Sequence, residues 1–181
     1  MALIQPVDST NAPEASRPLL DAVAKKMGMV PNLLGTLANG PAALQSYLSL
    51  SDALGGGLFS AKERELVALA IGESNTCDYC LAAHTMIGGS VGLSADEIEG
   101  ARRASSSDPK VESLVALAQS IVVTRGRPDG ADVQRFVDAG WTHGHLVELI
   151  ALVALNTLTN YTNHIAETEV DFPAAPALQT A

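Results

Sequence analysis

The sequence predicts an all-α fold, a single-domain helical bundle over residues 1–181 with a central CxxC helix hairpin. Three observations point there. Proline starts and glycine stops recur along the chain, and strand signals are nearly absent. Two Ser-x-x-Glu capping boxes, Ser60 to Glu63 and Ser94 to Glu97, mark helix N-termini. The composition is 47% apolar but only 4% aromatic, so the core must be built from Leu, Ala, Val and Ile, a mix that favours helices over a β-sandwich.

Taken in order, Pro13 precedes a helix EASRPLLDAVAKKMG whose start Pro18 can reset, and Gly28 ends it. Pro31 fits the first turn of a short helix, NLLGTLAN. Pro41 opens AALQSYLSLSDAL, which stops at the Gly55-Gly56-Gly57 break. Ser60 launches RELVALAIGES; Asn75-Thr76 interrupts it, and a new helix begins around Cys77 and runs to Gly88 or beyond. Ser94 caps another helix. Asp108-Pro109 starts KVESLVALAQSIVVT, stopped near Gly126 and Pro128. Asp129 begins a shorter helix, and Thr142 opens a long one towards Ala166. The tail DFPAAPALQTA, rich in Pro and Ala, is expected to wrap a neighbour or fray. The connection Ala104 to Asp108 is too short and polar to separate domains.

Charge narrows the function. Eleven Lys and Arg against twenty Asp and Glu give a net charge of −9, and the cations are scattered, which argues against a nucleic-acid partner. No glycine-rich phosphate loop joins a strand to a helix, so nucleotide binding has no support. The start MALIQPVDST lacks the basic and apolar stretches of an export signal, and the apolar run Leu146 to Leu158 is too short to span a bilayer. A cytoplasmic location without membrane contact is therefore expected, where two cysteines three apart suit redox or metal chemistry better than a static staple.

The chemistry concentrates in Cys77-Asp-Tyr-Cys80-Leu-Ala-Ala-His84. On a helix, steps of three and four share a face, so Cys77, Cys80 and His84 point one way. A thiol must become a thiolate to attack a peroxide oxygen. His84, one turn from Cys80, favours that residue as attacker; the helix-terminal dipole favours Cys77. The second thiol can then condense with a sulfenic acid to form a disulfide. If Asn75-Thr76 folds the two helices into a hairpin, Glu65 lies about 15 Å before the turn and His84 about 10 Å after it, making them near neighbours. A carboxylate on the imidazole would orient it and raise its basicity.

The stretch Ser60 to Gly88, SAKERELVALAIGESNTCDYCLAAHTMIG, resembles the Glu–CxxC–x3–His core of the carboxymuconolactone decarboxylase and alkylhydroperoxidase D-like superfamily. GMVPNLLGTLANGPAAL and NYTNHIAETEVDFP are similar to its uncharacterised peroxidase-related branch. The resemblance implies an all-helical oligomer, with Cys80 becoming the sulfenic acid, Cys77 as proton donor and resolving thiol, and His84 and Glu65 as proton relay. It implies no cofactor and no metal. Alkylhydroperoxidase D carries a His between the cysteines, where this chain has Tyr79. The decarboxylases lack the cysteine pair, so lactone decarboxylation is not expected.

Other residues compete for attention. Glu73, four before Cys77, could touch the thiols, tune them, or bond across a subunit contact; Tyr79 could serve packing or substrate. His143 and His145, two apart, diverge on a helix and make a poor metal pair. Asn156, Asn160 and His164 recur every fourth residue as a polar stripe that could line the substrate cavity or bond across a subunit interface, the interface being favoured. Glu148 among apolar neighbours should need a partner such as an Arg from a neighbouring helix. The runs VALAIG and Leu146 to Leu158 would expose apolar surface on a monomer, so a homo-oligomer, dimer to hexamer, is expected. The expected function is thiol-dependent reduction of hydrogen or alkyl hydroperoxides, recycled by an external dithiol. Alternatives are a thiol–disulfide adaptor reducing a partner peroxiredoxin, a zinc module on Cys77, Cys80 and His84 lacking an obvious fourth ligand, and a non-catalytic oligomer.

Overall fold

A computed structural model describes residues 2–178, and among these the regular elements are nine α-helices and one 3₁₀ turn. The turn Glu14–Ser16 leads into α1, Arg17–Met27, with Pro18 in its first turn and Gly28 closing it in the left-handed region. Then follow α2 (Asn32–Leu37) and α3 (Pro41–Gly55), each begun by proline, at the N-cap or first position. Both predicted capping boxes form, at the heads of α4 (Ala61–Ser74) and α6 (Ala95–Arg102); α5 (Asp78–Ser90) lies between. Asp108 and Asp129 cap α7 (Pro109–Val123) and α8 (Gly130–Asp138), and a third box, Thr142 with His145, starts α9 (His143–Ala166).

Helix α4 is the axis of the molecule, packed against α5, α6, α7 and α9. Its run Leu66 to Gly72 is apolar on every side because it is buried on every side. The expectation that VALAIG faces another subunit is therefore corrected: these residues belong to the chain's own core. One core cluster joins Val67 and Ile71 to α7, α8 and α9 through Leu114, Phe136 and Leu149. A second joins Leu20, Leu33, Leu44 and both cysteines, so α1 to α3 roof the thiols.

The chain's two ends tie this roof down. The Val7 amide donates to Gly35 O at 3.0 Å, and an added Cβ at Gly35 would stand 2.8 Å from Val7 O, so only glycine permits the approach. Asp171 accepts from the Asn32 amide at 2.8 Å, supplying α2 with the N-terminal acceptor its own Pro31 cannot offer. Phe172 packs edge-on against Tyr79, and Arg102 donates to Pro176 O at 2.6 Å. Up to that point the tail lies against its own chain and does not fray; its last residues, 179–181, lie outside the described residues.

Two other expectations are refined. Glu148 has the partner it needs, but among the described residues that partner is a backbone group and not an Arg: its carboxylate takes the Leu58 amide at 2.7 Å and so pins the α3–α4 loop to α9. The stripe on α9 splits, with Asn156 and Asn160 buried inside the protomer and His164 exposed against Tyr161. His145 packs its ring on Phe59 and Trp141. Among the described residues no helix is long and apolar enough to cross a membrane.

Candidate active site

The site is built at the turn between α4 and α5. Ile71 O closes the last turn of α4 on the Asn75 amide, and Gly72 O accepts the Cys77 amide at 2.9 Å. Thr76 takes a positive φ of 53°, an unusual conformation for a β-branched residue, and reverses the chain. Cys77 follows as the N-cap of α5, extended and not yet helical, and its sulfur accepts the Cys80 amide at 3.4 Å. At Gly72 a Cβ would stand 3.4 Å from Leu81 and 3.8 Å from Cys80, so the two helices meet closely there.

Both thiols are free and buried, with their sulfurs 2.7 Å apart. Cys77 donates its S–H to Cys80, and that bond holds the Cys80 thiol below its ordinary range against the opposing effect of burial; Asn163 and Asn160 pull the same way. Cys77 is driven up, by the same bond, by burial and by the charge on Cys80. Of the two, Cys80 therefore releases its proton more readily and Cys77 holds its own more tightly.

Glu65 and His84 meet as the hairpin geometry predicts, with Oε2 2.7 Å from Nδ1. Burial pushes the imidazole down, but the carboxylate's charge and hydrogen bond outweigh it, and the net shift is upward. With Nδ1–H committed to Glu65, Nε2 is the nitrogen left for other work. Among the described residues the imidazole makes no hydrogen bond to Cys80; the two face a common cavity of about 500 Å³. Leu34, Tyr47, Leu152 and Ile87 give that cavity apolar walls, and Arg64 lines it too. A groove between α1 and α3, about 760 Å³, shares Val23, Lys26, Leu48 and Ser51 with it and so adjoins it.

The other flagged residues find different places. Glu73 turns from the thiols and pairs with Arg102 Nε at 2.7 Å, fastening α4 to α6. Tyr79 accepts the Leu33 amide at 3.1 Å, which ties α5 to α2 while its ring lines the cavity. Among the described residues no three His, Cys, Asp or Glu side chains gather in a metal-holding group.

Asn163 went unnoticed in the sequence: its amide donates to Cys80 Sγ at 3.3 Å and approaches Cys77 Sγ at 3.9 Å. The signal was present, since Asn156, Asn160 and Asn163 follow a four-then-three spacing on one helical face. Tyr47, on α3, was missed for a simpler reason: nothing in its local sequence distinguishes it.

Residues 41–120 match the model of the carboxymuconolactone decarboxylase family. Two solved structures share the fold. An uncharacterised peroxidase-related protein from Silicibacter sp. TM1040 aligns at 20% identity over 88% of this chain and 86% of its own, with a TM-score of 0.77. An alkylhydroperoxidase AhpD core protein from Ralstonia eutropha JMP134 aligns at 23% identity over 94% and 92%, with a TM-score of 0.80. Over residues 41–120 the chain is similar to the carboxymuconolactone decarboxylase family, and its fold is that of the alkylhydroperoxidase-like structures. The debrominase Bmp8, solved as a variant in complex with 2,3,4-tribromopyrrole, has the same fold, with 15% identity over 93% of this chain and 91% of its own and a TM-score of 0.79. At these identities the solved structures speak for the fold alone. No curated protein matches the chain by sequence. The matched stretch contains Glu65, Cys77, Cys80 and His84, and ends before α9 brings Asn160 and Asn163 to the thiols.

Proposed function

We propose that this protein is a dithiol peroxidase of the alkylhydroperoxidase D-like kind that reduces hydroperoxides at Cys80. The observation that supports it best is the pair of free thiols 2.7 Å apart, with the negative charge favoured on Cys80 and that sulfur lining a cavity. In the first step Cys80 thiolate attacks the terminal oxygen of ROOH. The S–O bond forms, the O–O bond breaks, and its electron pair leaves with RO, which takes a proton to become ROH. Cys80 is now a sulfenic acid. Cys77 thiol then attacks the Cys80 sulfur; the S–S bond forms, and the hydroxyl leaves as water with the Cys77 proton. An external dithiol returns both residues to thiols. Glu65 orients His84, whose Nε2 can deliver the proton that RO needs.

Titrating thiols on reduced protein before and after one equivalent of hydrogen peroxide or an alkyl hydroperoxide tests this. Two thiols per chain should disappear, with an intramolecular Cys77–Cys80 disulfide in the mass spectrum. Unchanged thiols would reject the reading, and oxidation that requires a peroxiredoxin partner would favour the adaptor instead.

The size and apolar walls of the cavity favour one further reading, reductive dehalogenation. A bound aryl halide would exchange halide for hydrogen, releasing halide and a proton as the dithiol becomes a disulfide. Bromide release from a brominated pyrrole, without peroxide, would distinguish it. Two properties complete the proposal: a reducing, cytoplasmic setting, which two free thiols suit, and a homo-oligomer, supported by an exposed apolar seam on α9.

A further inference from the structure

We propose that Asn163 and Asn160 on α9 are catalytic residues whose side-chain amides cradle the Cys80 sulfur as an anion, with Asn75 as the positioning residue that aims Asn160. The inference rests on the reading of Cys80 as the reacting thiol and adds to it groups outside the Glu–CxxC–x3–His set.

The geometry begins with Asn163. It is buried, and its Nδ2 donates to Cys80 Sγ at 3.3 Å, a distance suited to a bond to sulfur. Asn160, one turn earlier on the same face, is fully buried. Its Oδ1 is occupied by Asn75 Nδ2 at 2.7 Å, which fixes which end of the amide faces away. That end, Nδ2, is buried with no hydrogen-bond partner among the described residues. A donor left open in a protein interior costs free energy unless an acceptor arrives, and an anionic sulfur is the acceptor this site supplies. Both amides act on the Cys80 thiol in the same direction, downward.

A structural role for this polar cluster accounts for less. Amides that merely join helices would satisfy both their ends. Here Asn160 satisfies only its oxygen, while Asn163 Oδ1 is itself without a partner and its N–H faces sulfur. The Thr159 hydroxyl donates to Asn156 O at 2.9 Å and also acts downward on the Cys80 thiol, behind the two amides. Asn75 sits in the α4–α5 turn beside Thr76, so the turn that presents the cysteines also presents the group that orients Asn160.

The acceptor arrangement persists through the reaction. Neutral amides carry no proton that peroxide chemistry would consume, so the cradle stabilises charge on sulfur without competing with Cys77 for the proton. The titratable groups facing Cys80 are Cys77 on the turn, its neighbour Tyr79, Tyr47 on α3 and the Glu65–His84 pair. All are unchanged in the variants below, so a displaced profile reports the amides.

Iodoacetamide alkylation of the reduced full chain, resolved to Cys80 by mass spectrometry and followed against pH, is the test. It reads the thiolate with no peroxide present. Removing one amide donor should raise the midpoint by about one unit, a ten-fold loss of rate on the acid limb. Asn163→Leu should show this, and Asn163→Asp, close in shape and carrying a like charge, should shift it at least as far. Asn160→Ala and Asn75→Ala should shift it less, and Asn75→Gln should recover part of the Asn75→Ala loss. Circular dichroism identifies the folded variants, and Asn163→Asp keeps the test open should Asn163→Leu fail to fold. An unmoved midpoint in folded Asn163→Asp and Asn160→Ala, or alkylation of Cys77 in preference to Cys80 in the parent protein, would overturn the cradle. Shifted midpoints in a protein that consumes no peroxide would sink the peroxidase reading and leave the cradle standing.

Discussion

At the residue scale, the two cysteines are distinguished by which of them releases its proton more readily. Cys77 is the N-cap of α5 and donates to Cys80, so the helix dipole that might have made Cys77 the thiolate is outweighed by a direct hydrogen bond pointing the other way. Cys80→Ser should abolish peroxide consumption, whereas Cys77→Ser should allow a single turnover and leave a sulfenic acid on Cys80 that dimedone labels. A dimedone adduct on Cys77 in Cys80→Ser, with no turnover in Cys77→Ser, would reverse the assignment. The imidazole supplies a second test. Because His84 has a raised pKa in the fold, its pairing with Glu65 stabilises the protein fully below the ordinary histidine value of about 6.5 and is lost as pH rises through the folded value. Glu65→Gln removes the carboxylate that raises it, so the imidazole titration followed by NMR should move to lower pH. An unmoved titration would mean that the 2.7 Å contact does not govern His84.

At the scale of elements, caps decide where helices begin and therefore which residues face each other. Ser60 accepts the Glu63 amide while Glu63 accepts the Ser60 amide at 2.7 Å, which sets the register of α4 that carries Glu65. Ser60→Ala should cost about 1 kcal/mol of stability, measured by urea unfolding, with the Cys80 alkylation midpoint unchanged because the cap lies far from the sulfur. The hairpin was legible in the sequence for this reason: the capping box, the Asn75-Thr76 break and the i, i+4 step to His84 are all local. What local signals left out is on α9. The four-residue stripe Asn156, Asn160, His164 looked like an interface, but the buried face follows Asn156, Thr159, Asn160 and Asn163, and His164 turns outward. Helical spacing places residues on a face; it does not say whether that face meets a subunit or a sulfur.

For the whole molecule, the surface of α9 is the feature left unmatched by the chain's own packing. Val147 and Ile150 are 66% and 53% exposed, and Ala154, Leu158, Tyr161 and Ile165, all exposed, continue the same seam in steps of three and four. Such a seam on a chain of net charge −9 suits a second copy, since burying it removes apolar area from water without opposing a charged face. Ile150→Glu combined with Ile165→Glu should lower the mass seen by light scattering from an oligomer to one chain, with the helical circular dichroism retained. A parent protein already of single-chain mass at micromolar concentration would remove the seam from consideration.

The sequence by itself determined the helices, most of their starts, and the apposition of Glu65 with His84 on one side and Cys77 with Cys80 on the other. These depend on interactions within about one turn or across one tight turn, where backbone geometry leaves few choices. Tertiary structure alone decided that VALAIG is buried within the chain, that Glu148 holds the Leu58 amide, that Glu73 belongs to Arg102, and that the tail reaches back over α2 and α6. It also decided that Asn163 touches sulfur eighty-three residues away in the chain. Contacts of that separation depend on how helices pack, and the same apolar or amide side chain serves a core, an interface or an anion equally well until packing places its partner.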